Sequence, residues 1–165
     1  VNGKAYITTE QGEVNARRGL AGSMKLVRPT ADFVPYLAEN LKDWDKVEVG
    51  LVFPKWPIEA VIQYSINNSE IVHYAEADGK PIAIGGYGDD CGWMLSTPEL
   101  ENHKKSFYKL SLQMLQEYAQ FGDYIYNHIH PQNEKTLRWL TRLGFQNEGV
   151  SSNNFITMGR TLCGN

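Results

Sequence analysis

His128 and His130 stand two residues apart in the run DYIYNHIH at 123–130, so in a strand their imidazoles share one face. Such a pair could begin a metal site, but zinc takes at least three protein ligands and no third is spaced beside them. The same alternation puts Tyr124, Tyr126, His128 and His130 on one side of the strand, where they could line a cleft. Asp89 and Asp90 directly precede Cys91. Carboxylate beside thiol could serve as base and nucleophile, and a turn rich in Asp and Gly explains the same residues without chemistry. Lys135, Arg138 and Arg142 recur at helical intervals. That basic stripe could meet a phosphate or an acidic protein, or simply face water. Trp139 shares this helix with Leu137, Leu140 and Leu143, and its ring is left partly exposed for a partner if the leucines point inward.

These side chains need a scaffold, and 165 residues are one domain's worth. A hydrophobic share of 42% with 21% charged residues argues for a globular chain rather than a disordered one. The net charge of −3 points to no nucleic-acid or anionic-membrane partner. Cys91 and Cys163 alone make no disulfide framework and no CxxC motif, so two reduced thiols are expected. No apolar run approaches the ~18 residues of a membrane span, and VNGKAYITTEQGEV lacks the apolar core of a signal peptide. Intracellular residence is the expectation. Residues 1–23 are polar and glycine-containing and read as a leader or extension. The domain is expected over 24–160, with a tail at 161–165.

Along the domain, 24–28 reads as a strand, and Thr30 or Asp32 caps a helix to about Asn40. Pro57 opens a second helix through Ile66. Residues 71–77 and 81–86 flank Asp78-Gly79, a hairpin signal, and an Asp89-Asp90-Gly92 turn leads to a third strand at 93–95. A long helix follows over 102–121, with Phe107, Leu110, Met114 and Tyr118 at intervals of three and four. Gly122 ends it. The run 123–130 is a strand, 132–143 a helix capped by Asn133, and Phe155-Ile156-Thr157-Met158 belongs to one or two final strands. The strand at 123–130 is entered through a helical crossover, so it is expected parallel to its predecessor. The fold class is α/β (α+β), a mixed, mostly antiparallel central sheet with helices on both faces.

This order resembles that of the GNAT acetyltransferases. NEKTLRWLTRLGF at 133–145 is similar to the family's closing helix, commonly N-x-x-A-x-x-[FY]-Y-x-x-x-G-F. Asp78-Gly79-Lys80-Pro81 and the Ile-Gly-Gly strand after it resemble the family's central hairpin, and the similarity spans Met24 to about Arg160. IAIGGYGDDCGWMLST at 82–97, with the Lys-rich helix and the strand from Asp123, looks like podophage internal virion protein A and its relatives.

The resemblance implies acetyl-CoA as cofactor, its diphosphate held where the third meander strand meets the long helix. Asn102, His103, Lys104, Lys105 and Ser106 occupy that place, with Asn133 nearby on the closing helix. It implies a substrate in the gap between the two central strands, hence Tyr126 and His128 as catalytic candidates. Glu76 stands where some members activate the amine. Two departures weaken catalysis. The family loop, of the type [QR]-x-x-G-x-[GA], uses glycine so that amides close around phosphate; 99–106 here contains none and carries Glu99 and Glu101. The helix position where many members place a proton-donating Tyr is Leu140, and losing a general acid typically costs about 10²–10⁴ in rate. The expected function is therefore a phage-type GNAT-like protein acting by protein binding, in virion assembly or at the host. The alternative is a working acetyl-CoA-dependent N-acetyltransferase with an atypical cofactor loop. Host cytoplasm or virion is the expected location.

Overall fold

The computed structural model describes residues 24–162, so the expected leader at 1–23 and residues 163–165 of the expected tail lie outside the described residues. β1 (Lys25–Val27) leads into three helices, α1 (Phe33–Glu39), α2 (Asp43–Val52) and α3 (Ile58–Asn67). A meander follows: β2 (Ile71–Ala77), β3 (Lys80–Gly88) and β4 (Cys91–Ser96). A 3₁₀ segment (Pro98–His103) feeds α4 (Lys104–Tyr118), which returns the chain to β5 (Tyr124–Ile129). Then come α5 (Glu134–Arg142), β6 (Gln146–Val150) and β7 (Ile156–Thr161).

The strands form one sheet in the order β1-β2-β3-β4-β5-β7-β6. Every neighbouring pair is antiparallel except β4 and β5, as a helical crossover through α4 requires. The tight turns have the chemistry their geometry demands. Asp78 and Gly79 both take positive φ (52° and 73°), as do Asp89 and Asp90 (50° and 60°), the form that matches strand twist in two-residue hairpins.

Alternation along β2 and β3 divides the core between two faces. Tyr74 and Ile84 pair on one side and pack against Phe33, Leu37, Ile62 and Ile66 of α1 and α3. Ala75 and Ala83 pair on the other, under Phe107 of α4. Small residues there let α4 lie close. At its far end α4 sets Leu115 and Tyr118 against Tyr87 and Ile125. Trp139 of α5 stacks on Phe107 with ring centres 4.8 Å apart, so the indole expected to be partly exposed is half-buried against α4.

Two expectations need correction. The long helix does not begin at Asn102: the chain first makes the 3₁₀ segment, and α4 closes at Tyr118. Among the described residues three helices, not two, precede the meander, and α2 is the addition. Its sequence DWDKVEVGLV alternates polar and apolar residues as a strand does, and it buries only Asp45 and Val49. No apolar stripe announces it. Gly50 sits inside α2 with nothing within 4 Å of the place a Cβ would take. Glycine in a helix costs about 1 kcal/mol relative to alanine. Gly50→Ala is therefore expected to raise unfolding stability by up to about 1 kcal/mol, measured by urea denaturation; a loss of stability would show that this backbone is not helical.

Candidate functional site

β4 and β5 meet at one register pair, Cys91 with Tyr126, where the Tyr126 N–H also donates to the Asp90 carbonyl at 2.8 Å. Beyond it the strands part. Gly92 permits this approach, since a Cβ there would collide with the Ile125 side chain. The gap opens into a cavity of about 100 Å³ between the sheet, α4 and α5. Met114, Leu115, Ile125 and Leu140 give it apolar walls, while Asn127 reaches it from β5. Lys42 at the cap of α2 and Asp45 and Glu48 within it supply its charged side.

Asp45 and Glu48 are three residues apart, which places both carboxylates on one face of α2. Asp45 is 4% exposed. Its Oδ2 accepts the Ser96 N–H at 2.7 Å, and its Oδ1 lies 3.5 Å from Lys42 Nζ. The Lys42 N–H in turn donates to the Ser96 carbonyl at 2.9 Å. Glu48 Oε1 accepts from the His130 N–H at 2.9 Å and from Asn133 Nδ2 at 3.1 Å. One carboxylate thus holds the end of β4 and the other holds the end of β5 and the start of α5. Burial pushes Asp45 up to about 6, against the opposing pull of Lys42 and the Ser96 N–H. A carboxyl that titrates near 6 beside an apolar cavity can take up or release a proton at near-neutral pH.

The residues expected from sequence are not gathered here. Tyr126 and His128 share a face of β5, but it is the face opposite Ile125 and Ile129, away from the cavity walls. Tyr126 packs on His128 with ring centres 5.3 Å apart, and its hydroxyl is raised by Cys91 first and then by burial. His128 is exposed, with Nδ1 3.0 Å from Thr157 Oγ1. Glu76 lies on β2 and pairs with Lys25 at 3.2 Å. Cys91 is raised by burial, which keeps its thiol protonated and a poor nucleophile, and Asp90 accepts the Tyr87 hydroxyl at 3.0 Å. Among the described residues no group of three or more His, Cys, Asp or Glu is placed to hold a metal ion.

The expected cofactor residues are arranged as follows. Glu101 takes Lys104 at 2.9 Å and Lys135 at 3.2 Å, and these pairs hold its carboxyl below the usual range. His103 is buried, and Ser106 donates to the His103 carbonyl at 3.0 Å. Asn102 and Lys105 are exposed. Asn133 is 2% exposed, caps α5 by accepting the Thr136 N–H, and donates to Glu48. A diphosphate at this corner would meet a carboxylate already engaged with two lysines, and no glycine to fold amides around it. The residues present do not fit coenzyme A's diphosphate.

Sequence reasoning missed Lys42, Asp45, Glu48 and Asn127. The Asp45-x-x-Glu48 spacing could have raised those two carboxylates, had 43–52 been read as a helix. A second buried polar group was also missed: His73 on β2 bonds through Nε2 to Glu117 of α4, which Gln113 Nε2 also meets at 2.9 Å.

The chain matches no family model and no curated protein. Its fold matches solved structures. A Pyrococcus horikoshii OT3 protein is similar with a TM-score of 0.65 at 12% identity, over 84% of this chain and 98% of that one. The ribosomal-protein-S18-alanine N-acetyltransferase of Escherichia coli is similar with a TM-score of 0.57 at 12% identity, over 86% and 94%. The PaiA N-acetyltransferase of Thermoplasma acidophilum, solved in complex with coenzyme A, is similar with a TM-score of 0.56 at 13% identity, over 84% and 99%. The fold is that of the GNAT acetyltransferases, as the order of elements led one to expect.

Because the folded-state pKa of Asp45 is raised above its unfolded value of 3.8, its contribution to stability is full below pH 4 and is lost as pH rises through about 6. Asp45→Asn keeps an acceptor for the Ser96 N–H and removes the titration. The variant is expected to gain on the wild type by on the order of 2 kcal/mol between pH 4 and pH 7.5, read as the difference between two urea-denaturation series. A difference that does not change with pH would show Asp45 to be solvated.

Proposed function

We propose that this chain is a phage-type GNAT-fold protein that works by binding another protein, in virion assembly or at the host, and not by acetyl transfer. The observation that carries the reading is Glu101, whose carboxylate occupies Lys104 and Lys135 at the corner where a diphosphate would need them. The glycine-free segment 99–106 and Leu140 in place of a proton-donating tyrosine support it. The islands at 82–97, similar to podophage internal virion protein A, supply the phage part of the reading.

An exposed apolar surface supports the binding half. Val47, Leu51 and Val52 of α2, Trp56 of the connecting loop and Tyr64 of α3 are 46–57% exposed. Phe53, Trp56 and Tyr64 form a ring triad with centres 5.4–5.7 Å apart. Contiguous apolar side chains in water, anchored by aromatics, are what a protein partner covers. Exposed charges beside them are of both signs (Asp43, Lys46, Lys55, Glu59), which suits a protein better than a polyanion.

A second reading, an acetyl-CoA-dependent N-acetyltransferase with an atypical cofactor site, is favoured by the cavity and by Asp45 titrating near 6 beside it. Thermal unfolding separates the two. A ligand at 100 times its dissociation constant stabilises by about 2.7 kcal/mol, which for a domain of this size is several degrees. Millimolar acetyl-CoA is expected to leave the melting temperature unchanged, whereas coenzyme A retained through purification would end the binding-only reading. In infected cells the chain is expected to co-purify with virions, and Leu51→Glu is expected to deplete it from the particles without changing its melting temperature. Undiminished incorporation of that variant would remove the α2–α3 surface from the proposal.

A further inference from the structure

α2 lies across the opening between two strands that no longer pair, and its polar face does the fastening. Ser96 at the end of β4 is held at both of its backbone groups, by Asp45 and by the Lys42 N–H. His130 at the end of β5 and Asn133 at the start of α5 are held by Glu48. Trp44 adds a ring contact to His130 at 5.1 Å. Apolar attachment is slight, because Val49 is the one buried apolar residue of the helix. Gly50 weakens the helix without any packing reason to be there. Pro54 and Lys55, the latter at φ 71°, follow Phe53 in the loop that joins α2 to α3. A wall of the cavity is therefore a short helix tied down by two carboxylates.

We propose that α2 is a strap that closes the gap between β4 and β5 and gates access to the cavity, fastened to one strand through Asp45 and to the other through Glu48. Asp45 gives the strap a direction of response to pH. Closed, its carboxyl is buried; open, it meets water, so the closed form holds a proton more tightly. Rising pH through about 6 therefore loosens the strap. The charged groups that act on Asp45 are Lys42, at the cap of its helix, and Glu48 on the helix itself, while β4 contributes the Ser96 N–H and hydroxyl and Tyr118 of α4 lines the same cavity. The helix's other side carries Val47 and Leu51, so a partner docked there would bear on the same element that closes the cavity. The gating itself does not depend on that partner.

Thiol labelling tests it. In a Cys91→Ser, Cys163→Ser background, Ser111→Cys puts a near-isosteric reporter on the cavity wall at a residue 7% exposed. Ser152→Cys is an exposed reference, and Ala83→Cys is a buried core site that is not among the cavity's lining residues. The probe is methyl methanethiosulfonate, and each rate is taken relative to the exposed reference at the same pH, which cancels the common thiolate dependence. The position-111 ratio is expected to lie far below one at pH 5 and to climb about tenfold or more by pH 7.5, with the climb abolished by Asp45→Asn. Asp45→Ala with Glu48→Ala is expected to raise the pH 5 ratio at least about tenfold while the position-83 ratio stays put. A position-111 ratio near one in the parent, or one indifferent to pH, overturns the strap. So does a position-83 ratio that rises in step, since that is global unfolding. The pH series on the parent decides the matter even if the double variant does not fold.

Discussion

Two neighbouring strands that separate inside a protein leave backbone donors and acceptors facing the space between them, and each one buried without a partner costs about 1–3 kcal/mol. Here that requirement falls at Ser96 and His130, on either side of the gap that opens after Cys91 and Tyr126. Water could meet it only by flooding an apolar cavity. The chain instead brings α2 across, and two carboxylates on one helix face meet the ends of both strands. From this follow the raised Asp45, the fixed Asn133 cap and the closed side of the cavity. The helix is placed by hydrogen bonds more than by burial, which leaves its outer apolar side to the solvent.

The diphosphate corner at the start of α4 has a similar character. Groups that could have been offered to a ligand are paired within the chain: Lys104 and Lys135 with Glu101 at the surface, Ser106 with the His103 carbonyl. The GNAT framework is intact, with its divergent central strands and helices on both faces, while the side chains around its openings have turned toward one another. Such self-satisfaction is compatible with stability.

The frame was legible in the sequence because its signals are local. Asp78-Gly79 and Asp89-Asp90 dictate tight turns with positive φ, Gly144 marks a helix end, and the long helix carries its apolar stripe in plain view, although it closes at Tyr118, short of the expected Gly122. Crossover logic gave the parallel pairing of β4 and β5. What escaped was α2, because a helix positioned by Asp45 and Glu48 lacks the apolar periodicity by which helices are found. With it went most of the cavity's polar side. Tyr126 and His128 were placed correctly on one face of a strand, but alternation alone does not say which face meets the cavity; that depended on α4 and α5 covering Ile125 and Ile129. Glu76 met Lys25 across β1, a pairing that registers only once the sheet is assembled.

Amide hydrogen exchange by NMR reads the fastening of the gap directly, at the two N–H groups concerned. Ser96 and His130 are expected to exchange as slowly as amides inside the sheet, with Asp45→Ala releasing the former and Glu48→Ala the latter, each leaving the neighbouring strand protected. Exchange of both amides at the rate of exposed backbone in the wild type would mean that α2 does not bridge the strands, and the cavity would have no closed side.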